Sequence, residues 1–149
     1  MRSGLMGGTF DPIHLGHLDI ARAALEELKL DRVIFLPDGD PPHKLPRAAW
    51  AQRLRMAELA CEDTPGFEVS DMELKRPGTT YTVDTLRAIK ADRPDEQLVY
   101  LIGTVQYITH VEIGICPDTF GNLTGIDILG RVEDGHAGVL HLGGDGKTE

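Results

Sequence analysis

Met6-Gly7-Gly8-Thr9-Phe10-Asp11-Pro12-Ile13-His14-Leu15-Gly16-His17 decides the fold of this 149-residue chain, because it joins an apolar strand to an amphipathic helix. Gly4-Leu5-Met6 reads as the end of a buried strand. Gly7 and Gly8 carry no Cβ, so their backbone can come close to a ligand. A helix begins after Pro12, and helix N-termini offer free N–H groups and partial positive charge to phosphate. His14 and His17 stand at i and i+3 across that start, where both can face one ligand. Together these features suit a polyphosphate. The stretch is not a Walker loop, since no Gly-Lys-Ser/Thr follows, and it is not G-x-G-x-x-G. Two other readings fit the spacing. One is a metal site, for which Asp11 is the only nearby third ligand. The other is a plain junction with turning glycines and solvated histidines.

Outward from this junction, strand and helix alternate. Arg2 to Met6 is the first strand. A helix is expected from about Leu15 to Lys29, with Leu18, Ala21, Leu25 and Leu28 on its apolar face. Arg32 to Leu36 suits a buried parallel strand. Pro37 to Pro46 holds four prolines, which forbid regular helix. It follows a strand end, where α/β sheets bind ligands, and His43 and Lys44 are its positive candidates. A second helix is expected from Arg47 or Ala48 to Glu62, with Trp50, Leu54, Ala57 and Cys61 inward, and Arg47, Arg53 and Arg55 solvated or paired along the helix. Phe67 to Leu74 alternates apolar with polar, as a half-exposed strand does. A third helix is expected over Val83 to Ala91, capped by Thr82, with Asp84 in its first turn. Tyr81 and Thr85 have no such local duty. Gln97 to Ile102 is a fourth strand, ending at Gly103.

Beyond Gly103 the character changes. Residues 104–149 hold 9 of the 17 glycines and only two basic residues, Arg131 and Lys147, among seven acidic ones. Short β-like pieces fall at Tyr107–Ile115, Ile126–Leu129 and Val139–Leu142, and no amphipathic helix can be drawn. The length fits one domain. A net charge of −9 argues against wholesale nucleic-acid binding. No apolar run approaches the roughly 18 residues of a membrane span. The N-terminus lacks a signal-peptide pattern, so a cytoplasmic location is expected, with Cys61 and Cys116 as reduced thiols.

Three motifs act together: Gly7-Gly8-Thr9-Phe10-Asp11-Pro12 with His14-x-Gly16-His17; Pro41-Pro42-His43-Lys44; and Arg76-Pro77-Gly78-x-x-Tyr81-Thr82-x-Asp84-Thr85. In combination they resemble the bacterial nicotinate-nucleotide adenylyltransferases, a branch of the nucleotidylyltransferases. The resemblance runs from residue 1 to Gly103. It implies an α/β fold, a Rossmann-like parallel sheet with helices on both faces. It also implies transfer of AMP from ATP to nicotinate mononucleotide, giving deamido-NAD and pyrophosphate, with Mg²⁺ as companion. By resemblance, Gly7, Gly8, Thr9 and Phe10 approach the nucleotides, and His14 and His17 hold ATP phosphates as the catalytic pair. Lys44, Tyr81, Thr82 and Thr85 match the acceptor side.

The resemblance stops where the composition shifts. Val105 stands where the family pattern has Asp, a later Trp is missing, and no Ser/Thr-Ser-x-x-Ile-Arg run occurs. Residues 1–103 are therefore expected to form the nucleotidylyltransferase domain, and residues 104–149 an atypical tail, folded or disordered. Two alternatives stay open. One is a truncated or frameshifted remnant that binds nucleotide weakly without catalysis. The other is a relative of the pantetheine-phosphate type.

Overall fold

A computed structural model describes residues 1–39, 46–79, 81–102, 126–131 and 137–142. Strands and helices alternate as β1 (Arg2–Gly8), α1 (Leu15–Glu27), β2 (Arg32–Pro37), α2 (Trp50–Cys61), β3 (Phe67–Val69), α3 (Thr82–Asp92) and β4 (Gln97–Ile102), followed by β5 (Ile126–Arg131) and β6 (Ala137–Leu142). They form one six-stranded sheet in the order β3-β2-β1-β4-β5-β6. β1 pairs in parallel on both edges, with Leu5 beside Ile34 of β2 and Tyr100 of β4. β3 and β5 continue the parallel pairing, and β6 closes the edge antiparallel to β5. This is the expected parallel α/β sheet, with its first, second and fourth strands adjacent.

Alternation along the strands builds two cores. Leu5, Ile34, Leu36, Leu98 and Tyr100 point to one face, where Leu86 and Ile89 of α3 cover them. Met6, Val33, Phe35, Val99 and Leu101 point to the other, against Ala21 and Ala24 of α1 and Cys61 of α2. Period-2 strands buried on both faces need helices on both sides, which is why the apolar runs in sequence are nearly continuous. Burial also raises the Cys61 thiol to about 11.

The chain winds outward from β1 to β3 and then crosses back to place β4 on the other side of β1. That reversal opens a crevice at the C-terminal ends of β1 and β4. Gly7 and Gly8 end one of these strands and Ile102 the other.

Four details differ from the sequence reading. α2 starts at Trp50, because the Arg47 and Ala48 amides donate to Asp11 Oδ2 at 2.5 and 3.2 Å and hold that segment outside the helix. Trp50 is 56% exposed, not core, since the inward stripe of α2 runs through Arg53, Ala57 and Cys61. β3 stops at Val69, where Ser70 Oγ accepts the Met72 amide and the Lys75 amide donates to the Asp71 carbonyl, turning the chain. Tyr81, not Thr82, occupies the cap position of α3, with no side-chain capping bond.

At the opposite end of the sheet a buried ion pair joins the strand starts. Arg32 reaches Glu96 at 2.8 Å and Glu68 at 3.0 Å. Ser3 Oγ donates to Glu96 and accepts from Arg32 Nε. Burial by itself would raise the Glu96 carboxyl; the bonds from Arg32 and Ser3 and the nearby cations outweigh it, so the group sits below its ordinary value. A lowered carboxyl stabilises the fold above its ordinary pKa and loses that contribution as pH falls through the lowered value. Glu96→Gln should therefore cost about 1–3 kcal/mol at pH 7. Urea unfolding should show the gap from the parent narrowing as the pH falls below 4.5.

Candidate functional site

The turn after β1 is built from steric necessity as much as from openness. A Cβ on Gly7 would lie 2.7 Å from the Tyr100 hydroxyl, so Gly7 makes room for Tyr100. Its missing side chain is thus first a packing requirement of β4, not only an opening for a ligand. Phe10 takes φ of 49°, a left-handed conformation uncommon for a bulky residue, and is itself buried. Its ring meets His17 edge-on, with centroids 5.0 Å apart.

The two histidines are brought together at the start of α1. His14 is the cap: its Nδ1 accepts the Gly16 amide at 3.1 Å. His17 returns the bond, its Nδ1 accepting the His14 amide at 3.1 Å. The rings lie 3.8 Å apart at 31°. In a neutral imidazole whose Nδ1 accepts, the proton sits on Nε2. Both rings therefore present Nε2–H donors, and neither needs a net charge to do so. Gly16 is fixed by the same geometry, since a Cβ there would come within 2.9 Å of the His14 ring. Asp11, the third ligand of the metal reading, is engaged with the two backbone amides before α2.

The sequence places Arg53 in solvent or in a pair along its own helix. It is instead 1% exposed, with Nη1 donating to the Thr9 carbonyl at 2.9 Å and the Asp38 carbonyl at 2.7 Å. Its Nε reaches the Ala48 carbonyl at 3.3 Å. One cation so ties the glycine turn, the exit of β2 and the entry to α2. The signal was available: Arg53, Ala57 and Cys61 repeat every four residues, on the face that Ala57 and Cys61 already marked as core.

Of the residues expected on the acceptor side, Tyr81 is exposed and Thr82 half-buried, with Thr82 Oγ1 3.4 Å from the Tyr100 hydroxyl. Burial, with the Asp38 and Glu73 charges, pushes the Tyr100 phenol up, so it stays protonated. Thr85 lies deeper, 1% exposed: its hydroxyl donates to Glu73 Oε1 at 2.6 Å and accepts from Arg76 Nη1 at 3.0 Å. Glu73 is a residue that the sequence reading missed, because a half-exposed strand would have turned it to solvent. Thr9 Oγ1 donates to Asp38 Oδ2 at 3.4 Å, linking the glycine turn to the same region. Lys44 lies outside the described residues.

Among known proteins, a family model described as cytidylyltransferase-like matches residues 5–121. A protein of Citrifermentans bemidjiense named "Probable nicotinate-nucleotide adenylyltransferase" is 50% identical over 105 residues, 69% of this chain and 49% of that one. One of the same name from Thermus thermophilus is 50% identical over 107 residues, 72% of this chain and 58% of that one. The chain spans about half the length of the curated relatives it matches. Among solved structures, the Plasmodium falciparum nicotinic acid mononucleotide adenylyltransferase complexed with NaAD superposes with a TM-score of 0.70 at 16% identity. That likeness covers 89% of this chain and 65% of the other, and at such identity it concerns the fold.

Gly7→Ala should destabilise the chain by about 1–3 kcal/mol, the cost of forcing atoms into a packed core. Adding Tyr100→Phe should recover part of that loss, because the clashing atom is the hydroxyl. Urea denaturation of the single and double variants reads the coupling directly.

Proposed function

Since the chain belongs to the cytidylyltransferase-like family, we propose that it acts as a nicotinate-nucleotide adenylyltransferase of NAD biosynthesis, joining AMP from ATP to nicotinate mononucleotide. The phosphate oxygen of nicotinate mononucleotide forms a bond to the α-phosphorus of ATP. The bond from that phosphorus to the bridging oxygen breaks, and pyrophosphate leaves with the electron pair. The nucleophile is already an anion, so little acid–base work is required, and catalysis is positioning plus charge stabilisation.

The observation that carries this reading is the paired imidazoles at the start of α1. Both Nδ1 atoms are engaged by backbone amides, which fixes the two rings side by side at a helix N-terminus and leaves Nε2 as the N–H atom of each neutral imidazole. In this reading His14 and His17 hold the ATP phosphates, with Gly7, Gly8, Thr9 and Phe10 against the nucleotide. Tyr81 and Thr82 receive nicotinate mononucleotide at the N-terminus of α3, where the helical bonds begin with the Asp84 amide on the Tyr81 carbonyl and the amides ahead of it suit a carboxylate. Lys44 serves the phosphate side. Thr85 supports from beneath, since its hydroxyl is engaged by Glu73 and Arg76. Relatives 50% identical and named for this activity support the assignment.

Mg²⁺ belongs to the reading as the companion of ATP, neutralising phosphate charge. Among the described residues no group of three or more His, Cys, Asp or Glu could hold a metal ion. Those residues offer no ligand set of their own, and the ion would ride on the triphosphate. No helix among the described residues is long and apolar enough to cross a membrane, and the proposed reaction is cytoplasmic. Val105, which stands where the family pattern has Asp, favours a second reading, a chain that binds nucleotide but turns it over slowly or not at all.

His17→Ala should lower kcat/KM for pyrophosphate release from ATP and nicotinate mononucleotide roughly a hundredfold, as losing a positioned donor costs ~3 kcal/mol of barrier. The lost cap bond should cost only about 1 kcal/mol of stability. Equal kinetics for parent and variant would reject the role. ATP binding without pyrophosphate release in the parent would select the second reading.

A further inference from the structure

Beneath the proposed acceptor side lies a buried acid that the reaction does not consume. Glu73 is 4% exposed. One oxygen, Oε1, accepts the Thr85 hydroxyl at 2.6 Å. The other, Oε2, is buried and no donor is directed at it. The Asp38 carboxyl is near enough to act on Glu73 as a side-chain partner and as a like charge. Asp38 in turn leads to the glycine turn: its amide donates to the Gly8 carbonyl at 2.9 Å, and its carboxyl accepts from Thr9 Oγ1. A continuous path thus runs from Gly8 and Thr9 through Asp38, Glu73 and Thr85 to the first turn of α3.

We propose that Glu73 is a positioning residue for the acceptor nucleotide, bridging Asp38 to Thr85 and so fixing the first turn of α3 relative to the glycine turn after β1. The inference rests on the reading of that turn as the nicotinate mononucleotide site. Two carboxylates cannot share a bond unless one carries a proton, so the bridge requires a protonated acid. Burial raises Glu73 to about 8; the Thr85 bond opposes this, Asp38 adds to it, and Arg76 opposes it. Among the described residues, the other charged or titratable groups of this cluster are Tyr100 from β4, protonated as above, and Arg53 from α2, which holds the Asp38 carbonyl. The folded chain therefore keeps a proton that the unfolded chain loses above 4.5. What that proton contributes is complete below 4.5 and is lost as the pH rises through about 8. Ionisation sets two negative charges against each other, and Thr85 is the link that would carry the disturbance to α3.

The variants separate this role from simple support. Glu73→Gln keeps the bridge without a titrating proton, because its amide can donate to Asp38 while its carbonyl accepts from Thr85. Glu73→Ala removes the bridge. Asp38→Asn keeps Glu73 but removes the like charge. In amide NMR spectra of the full chain, Tyr81, Thr82 and Val83 should titrate with a midpoint near 8 in the parent. They should not titrate in Glu73→Gln, and in Asp38→Asn the midpoint should move down. By calorimetry, the parent should lose at least tenfold in affinity for nicotinate mononucleotide across that midpoint, with ATP affinity unchanged. Glu73→Gln should hold its affinity at every pH, and Glu73→Ala, where it folds, should be weak throughout. Amides that do not titrate in the parent, or that titrate alike in Glu73→Gln, overturn the positioning role whatever the ligand. Amides that titrate as expected while no variant binds nicotinate mononucleotide overturn the acceptor assignment instead, and with it the proposed function.

Discussion

Everything at the candidate site depends on β1 being hydrogen-bonded along both edges. β2 and β4 hold it from either side, and helices cover both of its faces. A strand so enclosed has no freedom to shift its register, because a slip of one residue would exchange the two cores. The turn after Gly8 inherits that rigidity. Tyr100 on β4 presses against Gly7, and the Asp38 amide beyond β2 holds the Gly8 carbonyl, so neighbours on both edges fix the end of the strand.

Arg53 converts this mechanical frame into an electrostatic one. A buried guanidinium is costly unless its donors are satisfied. Here backbone carbonyls satisfy them, two from the site's own turns and one from the entry to α2. Carbonyl partners leave the net charge uncancelled, unlike the carboxylates that neutralise Arg32 at the other end of the sheet. A chain of net charge −9 thereby keeps a fixed positive centre under the one turn that would meet a polyphosphate.

Much of this was legible in the residues, and the exceptions share a cause. The parallel sheet was readable because strands buried on both faces leave apolar runs, and the helices because their faces repeat. β5 and β6 lie where short β-like pieces could be drawn in the tail. Trp50 and Arg53 exchanged places because hydrophobicity ranks tryptophan inward, while burial in α2 was decided by which position faces the carbonyls of Thr9 and Asp38. Glu73 was missed for a related reason. Alternation over Phe67 to Leu74 is a strand signal, and Ser70 and Asp71 override it with local bonds that turn the chain. Thr82 looked like a cap by residue type, yet its hydroxyl lies by Tyr100, a partner far along the chain. Local patterns carried the elements; the residues that join elements were set by distant partners that no window of sequence contains.

The short approach between Gly16 and His14 changes how the His-x-Gly-His element should be understood. It is usually parsed as two functional letters and one spacer. Here the middle glycine holds no space open for a ligand; it is the floor on which the first imidazole lies. A single methyl group at that floor would tip the His14 ring away, freeing the amide it caps and parting it from the His17 ring, which in turn leans on Phe10. The element is one lever with a fulcrum at Gly16, so a change at the fulcrum would mimic a histidine lesion while leaving both histidines in the sequence.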